Sequence, residues 1–454
     1  MAEPPHILPL PYRDPVAAFA PFAADPVAVL LVDGESSRVS YIAARPTSVI
    51  VADDAGTWLD GVRVALDPFT LLAREMAARH RPAHAHLPPF QGGAVGLFGY
   101  DLARHLERLP RPWPAEPPFP DMVVGLYDTV AAFDPVRRQA WITAPDRERA
   151  EALASAITAA PVPGPLDWDR RGLWRAETTQ AAYEARVARA IAYIHAGDAF
   201  QVNLSQRFIG DLPAGLDAFG LFRRLMTLGR APFSAWIGCG RGRRVLSASP
   251  ERFLKVDAAG RVETRPIKGT RRRGTTPAED AALAADLVAS PKDQAENLMI
   301  VDLLRNDLSR VCAFGSVGVP ALCRLETFTA VHHLVSVVEG RLRPDASTLD
   351  LLRSAFPGGS VTGAPKIRAM EIIAELESCR RGPYCGVLAW LDFGGTMDSS
   401  ILIRTLVEAD GRVTLHAGGG IVADSDPALE YEETMIKAAM PMRALDPTGA
   451  MEPL

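Results

Sequence analysis

Lys268 lies in the segment Arg265-Pro266-Ile267-Lys268-Gly269-Thr270. The spacing predicts a short Pro/Gly-bounded turn following two strand-like runs at 253–256 and 262–264. A lysine held so close to the backbone, in a partly desolvated and cationic pocket, loses ammonium character and becomes an amine nucleophile. The other reading is a solvated lysine beside Arg271-Arg272-Arg273.

Two acidic pairs follow at helical spacing, Asp293 with Glu296 and Glu430 with Glu433. Residues i and i+3 share one helix face, so two such helices facing each other would aim four carboxylates at one point. Like charges so placed repel unless a hard cation intervenes, and Mg²⁺ takes oxygen ligands, often only one or two from the protein. Two solvated acidic faces are the alternative. The apolar run Leu298-Met299-Ile300-Val301 after Glu296, and Met435-Ile436 after Glu433, favour paired or metal-bound carboxylates.

Several features suit an anion. Ala417-Gly418-Gly419-Gly420-Ile421 follows a strand, and consecutive glycines let backbone N–H groups cradle a carboxylate; a bulge or tight turn is the other use. Gly359-Ser360-Val361-Thr362-Gly363-Ala364-Pro365-Lys366 opens a predicted helix with proline in its first turn, where free amides favour an anion or simply start a capped helix. Arg404 falls inside a predicted apolar strand over 400–407 and calls for an anionic partner. Lys437 follows Glu433 by four residues on the same helical face. His332 and His333 sit in an apolar run, where a core histidine is the commoner outcome.

The elements that must position these groups form a mixed α/β chain. Strands are expected at 27–32, 48–51, 200–208, 233–237, 244–247, 385–392, 400–407 and 412–418. Helices are expected at 145–160, 179–196, 217–226, 277–288, 291–305, 364–376 and 428–445. A proline-dense loop covers 109–120. Gln91 to Tyr100 is glycine-rich without the dinucleotide fingerprint, so its glycines serve close strand packing. Pro161-Val162-Pro163-Gly164-Pro165 is the best linker candidate. It divides an N-terminal region, 1–165, from a catalytic region, 166–454.

The 454 residues are 48% hydrophobic and 23% charged, the balance of a globular protein with a sizeable core. A net charge of −5 gives no basic field for nucleic acid or membrane. The five cysteines form no CxxC pair, so a reducing cytoplasm is the expected home. The first 15 residues lack the order of a secretory signal, and no apolar run reaches a membrane span.

Taken together, Gly197 to Ser205, Ser249-Pro250-Glu251-Arg252-Phe253, the Lys268 hexapeptide, 292–310, 331–336, 356–366, Ile403-Arg404-Thr405 and 417–437 resemble the chorismate-utilising enzymes, with specific motifs across most of 178–440. That resemblance implies one interleaved α/β (α+β) fold, a large two-lobed β-sandwich surrounded by helices. It implies Mg²⁺ held by Glu296 and Glu433, with Asp293 and Glu430 close by or acting through water. It implies that Arg404, the amides around Gly418 and Gly419, and Lys437 hold carboxylates of chorismate, and that His333 and Thr362 line the ring pocket.

Within the family, relatives that add water to the ring carry a lysine base where this chain has Gln201, and an amide cannot take a proton from water. Anthranilate synthases typically carry alanine where it has Lys268. Lysine there fits the branch that makes 4-amino-4-deoxychorismate for 4-aminobenzoate and folate synthesis. In that reading Lys268 forms a covalent adduct, Glu251 acts as general acid, and ammonia comes from a separate glutaminase subunit, since this chain shows no Cys/His glutaminase signature. The alternatives are an anthranilate synthase component or a catalytically silent relative. Some members hold tryptophan in the N-terminal part; the corresponding Leu30-Leu31-Val32-Asp33-Gly34-Glu35-Ser36-Ser37 departs from the usual Leu-Leu-(Glu/Asp)-Ser.

Overall fold

The structure is a computed structural model describing residues 5–34, 39–111, 113–114, 119–328 and 331–452. Glu35, Ser36 and Ser37 of the tryptophan-type motif, and part of the proline-dense loop, lie outside the described residues.

Two large antiparallel-rich sheets form the frame, one of 13 strands and one of 12 among the described residues. Each mixes strands from both ends of the chain. In the first sheet Val29–Val32 pairs with Phe233–Gly238, and this leads through Arg243–Ser249 and Thr405–Ala409 to Arg412–Ile421 and Gln201–Asp211. In the second, Gly93–Phe98 pairs with Val387–Asp392, which leads through Met397–Ile401 to Arg252–Val256.

The apolar clusters define the layers. Val29, Val95, Leu97, Ala235, Val245 and Leu388 pack between the sheets. Outside the first sheet lie the helices Ala218–Leu228 and Pro427–Leu445, whose Leu221, Leu225, Ala438 and Met442 join one core. Outside the second lie Pro291–Ser309 and Thr348–Ala355, whose Ile300, Leu304, Leu351 and Leu352 join another.

Local chemistry fixes the helix starts. Thr179 accepts from the Ala182 N–H at 3.2 Å and opens Gln180–His195. Ser290 accepts from Asp293 N–H at 3.3 Å, with Pro291 in the first turn. Asp426 accepts from Ala428 and Leu429 N–H at 2.9 and 3.1 Å. Each cap satisfies an amide that has no partner within its helix.

Three expectations are corrected. The strand expected over 400–407 is two strands in different sheets, Met397–Ile401 and Thr405–Ala409. Arg404 sits at the crossing with φ of +54° rather than within a strand. Lys268 belongs to the strand Ile267–Arg272 rather than to a turn, and the register with Val331–Arg341 shifts between Ile267 and Thr270, at Gly269 with φ of +83°. The helix expected from 364 begins at Lys366, because Gly363 and Ala364 pair with Val202 and Gln201. Pro365 is therefore the capping residue and offers no side-chain cap. Apolar runs do not reveal such breaks, since both halves of 397–409 are equally strand-like.

Candidate active site

The site forms where the chain changes sheets. Glu251 lies between Arg243–Ser249 of the first sheet and Arg252–Val256 of the second. Arg404 lies at the reverse crossing. The two crossings are bonded together: Ile401 N–H donates to Glu251 O at 3.1 Å, Ala248 N–H to Arg404 O at 3.1 Å, and Ser249 Oγ to Ile401 O at 2.6 Å.

Around them stand most of the residues singled out by sequence. Glu251 is buried, at 6% exposure. Burial pushes its carboxyl upward; a Ser360 hydroxyl bond and the charges of Lys268 and Lys437 oppose this without cancelling it. Lys268 Nζ donates to Ser360 O at 3.3 Å. Gln201 is fully buried, and neither amide atom finds a hydrogen-bond partner among the described residues. Lys268 and Gln201 meet at the glycine strand: a β-carbon on Gly420 would stand 2.3 Å from Gln201 Nε2 and 3.5 Å from Lys268 Nζ.

The carboxylates gather beside the neighbouring glycine. A β-carbon on Gly419 would lie 2.9 Å from Glu430 Oε2, 3.7 Å from Glu433 Oε1 and 3.7 Å from Lys437 Nζ. Lys437 Nζ pairs with Glu433 Oε1 at 2.6 Å and donates to Gly418 O at 2.9 Å. Gly418 thus presents a carbonyl, not only amides, to this cleft. Glu430 accepts from Ser425 Oγ at 2.7 Å and lies 3.5 Å from Lys292 Nζ.

Burial raises the Glu296 carboxyl, Glu433 and Glu430 add to the rise, and Lys268 and Lys292 oppose it. Burial raises Glu430 as well, with Glu433 adding to the rise against the Ser425 bond. At Glu433 burial works upward too, but Lys437, Lys292 and Lys268 outweigh it and hold the group below its usual range. Asp293 does not join this cluster; it pairs with Arg271 at 3.3 Å.

His333 Nδ1 bonds the Thr270 hydroxyl at 2.8 Å. Burial, helped by Arg404 against a Gly269 backbone bond, lowers the imidazole to about 4, so it is neutral at neutral pH. Arg404 Nη1 donates to Lys437 O at 2.6 Å and is lowered by burial, against Tyr384 and Glu433. Thr362 is fully buried, and its hydroxyl donates to Gly358 O at 3.0 Å.

Hard oxygen donors and mutual carboxylate repulsion suit Mg²⁺, and the missing side chain at Gly419 keeps a gap beside Glu430 and Glu433. Among the described residues no three His, Cys, Asp or Glu side chains converge as a finished ion cage. Lysines share the acids instead.

Sequence reasoning passed over Lys292 and Ser360. A signal was present: only five of the 49 basic residues other than histidine are lysines, at 255, 268, 292, 366 and 437. Three of these five face the acid cluster, and Lys366 pairs with Asp307 at 2.8 Å beside the loop that carries Ser360. The Arg271-Arg272-Arg273 run is an ion-paired face, bonded to Asp286, Glu279 and Asp280 of the helix Pro277–Ala289.

The chorismate binding enzyme family matches residues 27–443, and the chain belongs to it. It is an enzyme of the chorismate-utilising class. It is 46% identical over 446 residues to aminodeoxychorismate synthase component 1 of Klebsiella aerogenes, covering 95% of this chain and 97% of that protein. It is 41% identical over 437 residues to the same-named protein of Escherichia coli K12, covering 96% and 92%. It is 42% identical over 458 residues to anthranilate synthase component 1 of Streptomyces coelicolor, covering 95% and 86%. The crystal structure of anthranilate synthase component I from Streptococcus pneumoniae superposes with a TM-score of 0.80 at 32% identity, covering 90% of this chain and 93% of that one. No helix among the described residues is long and apolar enough to cross a membrane.

Proposed function

We propose that this chain is the synthase component that converts chorismate and ammonia into 4-amino-4-deoxychorismate. The observation that carries the reading is the setting of Lys268. Its amine is fixed at a strand bulge, bonded to Ser360 O, beside buried Glu251 and across Gly420 from Gln201. The likeness to aminodeoxychorismate synthase component 1 supports it.

In the first step the Lys268 amine bonds to C2 of the ring. The double bonds shift, the C4–O bond breaks, and Glu251, whose carboxyl burial pushes upward, gives the departing oxygen its proton so that water leaves. Ammonia then bonds to C4, the C2–N bond breaks, Lys268 leaves as the free amine, and the surplus ammonium proton returns to Glu251. The enolpyruvyl group stays on the product. Gln201 has no basic atom to activate water, which disfavours hydration of the ring. Arg404, Lys437 and the Gly418–Gly419 backbone hold the substrate carboxylates, with His333 and Thr362 at the ring. Glu296 and Glu433 would hold Mg²⁺, with Glu430 in support, and the bound ion would neutralise the C1 carboxylate and draw electrons from the diene; Asp293, paired with Arg271, stands outside this set. Ammonia is supplied by a glutaminase partner subunit in the cytoplasm.

Product analysis by mass spectrometry after mixing the protein with chorismate, Mg²⁺ and ammonium tests the proposal. The expected product keeps the enolpyruvyl group and shows no aromatic amine fluorescence. Release of anthranilate with pyruvate would overturn it in favour of the anthranilate reading.

A further inference from the structure

Arg381 lies outside the groups assigned above, in the segment Arg380-Arg381-Gly382-Pro383-Tyr384. It is 3% exposed and spends every polar contact inside the molecule. Nη1 donates to Val361 O at 2.9 Å and Nη2 to Asn203 O at 2.7 Å. Nε and Nη2 form a fork on Glu377 at 2.9 and 2.7 Å. Glu377 in turn accepts from both the N–H and the hydroxyl of Ser205 at 2.8 Å each. The Tyr100 and Tyr384 rings flank the guanidinium at 4.7 and 5.7 Å.

The two carbonyls it holds belong to the two segments that shape the reacting end of the site. Val361 follows Ser360, whose carbonyl receives Lys268 at 3.3 Å. Asn203 lies on the strand that carries Gln201, and its N–H donates to Thr362 O at 2.8 Å. One rigid planar fork therefore sets the distance between the Ser360 segment and the Gln201 strand. Lysine, a single flexible point charge, cannot reach the same four acceptors.

We infer that Arg381, oriented by Glu377, is a positioning residue for Lys268, acting through Ser360; its effect on turnover rests on the function proposed above. Two variants test it. Arg381→Lys keeps the charge and loses the fork. The double variant Glu377→Gln/Arg381→Met removes both buried charges together, which avoids leaving one unpaired. Each is compared with wild type at a temperature where circular dichroism shows the variant fully folded.

The first readout is trace acetylation of the folded protein by acetic anhydride, with the Lys268 rate measured against exposed Lys255 by peptide mass spectrometry. The second is steady-state turnover. The expected result is a change of about threefold or more in the Lys268:Lys255 ratio, with kcat reduced on the order of tenfold and chorismate KM within about twofold. An unchanged ratio in folded variants overturns the inference and makes the pair a structural brace only. The labelling ratio decides the matter even if wild type fails to aminate chorismate, so the two ideas fall separately.

Discussion

Lys268 and Gln201 share the space above Gly420, where a β-carbon would come within 2.3 Å of the amide nitrogen of Gln201 and 3.5 Å of the amine of Lys268. Gln201 is fully buried. Gly420→Ala is therefore expected to displace the Gln201 amide and set a methyl against the Lys268 amine, lowering kcat on the order of 10²-fold, while the melting temperature moves by only a few degrees. Wild-type kcat in this variant would show that the two side chains are not confined there.

Removal of the proposed nucleophile gives a chemical signature. Lys268→Ala is expected to lose on the order of 10²-fold or more in rate. Intact-mass spectra should show a substrate adduct on wild type and none on the variant. The proposed adduct would be a secondary amine rather than an imine, so borohydride is not expected to trap it. Aminodeoxychorismate production by the variant at wild-type rate would end the covalent assignment.

Charge at the acid cluster tests the proposed Mg²⁺ site. In Glu296→Gln and Glu433→Gln, Mg²⁺ affinity by calorimetric titration and turnover are expected to fall together, because each variant removes a hard anionic donor. Titration curves superimposable on wild type would remove these residues from the ligand set.

His333 predicts an acid-side loss of stability. Its imidazole is lowered to about 4 in the folded protein, against 6.5 as its ordinary value. Between those pH values the unfolded chain binds a proton that the folded one refuses, so this contribution to stability is present above pH 6.5 and is lost as the pH falls toward 4. Urea unfolding from pH 7 to 4 should show a shallower decline in His333→Gln than in wild type. Equal slopes in the two proteins would place His333 in solvent.

The parts of the site written in contiguous residues were legible in the sequence. The i, i+3 spacing placed Glu430 and Glu433 on one helix, and Lys437 four residues on meets Glu433 as the period requires. Asp293 shows the limit of that rule, since helical spacing fixes a face and leaves open which partner meets it, here Arg271. Arg404 shows another limit. β-Branched and apolar residues run through 400–407 and give the pattern of one continuous strand, whereas the change of sheet is set by pairing with Arg243–Ser249, more than 150 residues earlier. Arg381 left no local mark at all, because its carbonyl acceptors belong to segments 20 and 178 residues away.

The interleaving of the two sheets also governs how the protein comes off the ribosome. Gln201–Asp211 waits for Arg412–Ile421, and Arg243–Ser249 for Thr405–Ala409. Through most of synthesis the nascent chain therefore carries apolar strands with vacant edges, a condition that slows folding and invites association with other chains. The same late closure that brings Glu251 and Arg404 together leaves those edges open until Thr405–Ala409 and Arg412–Ile421 have been made.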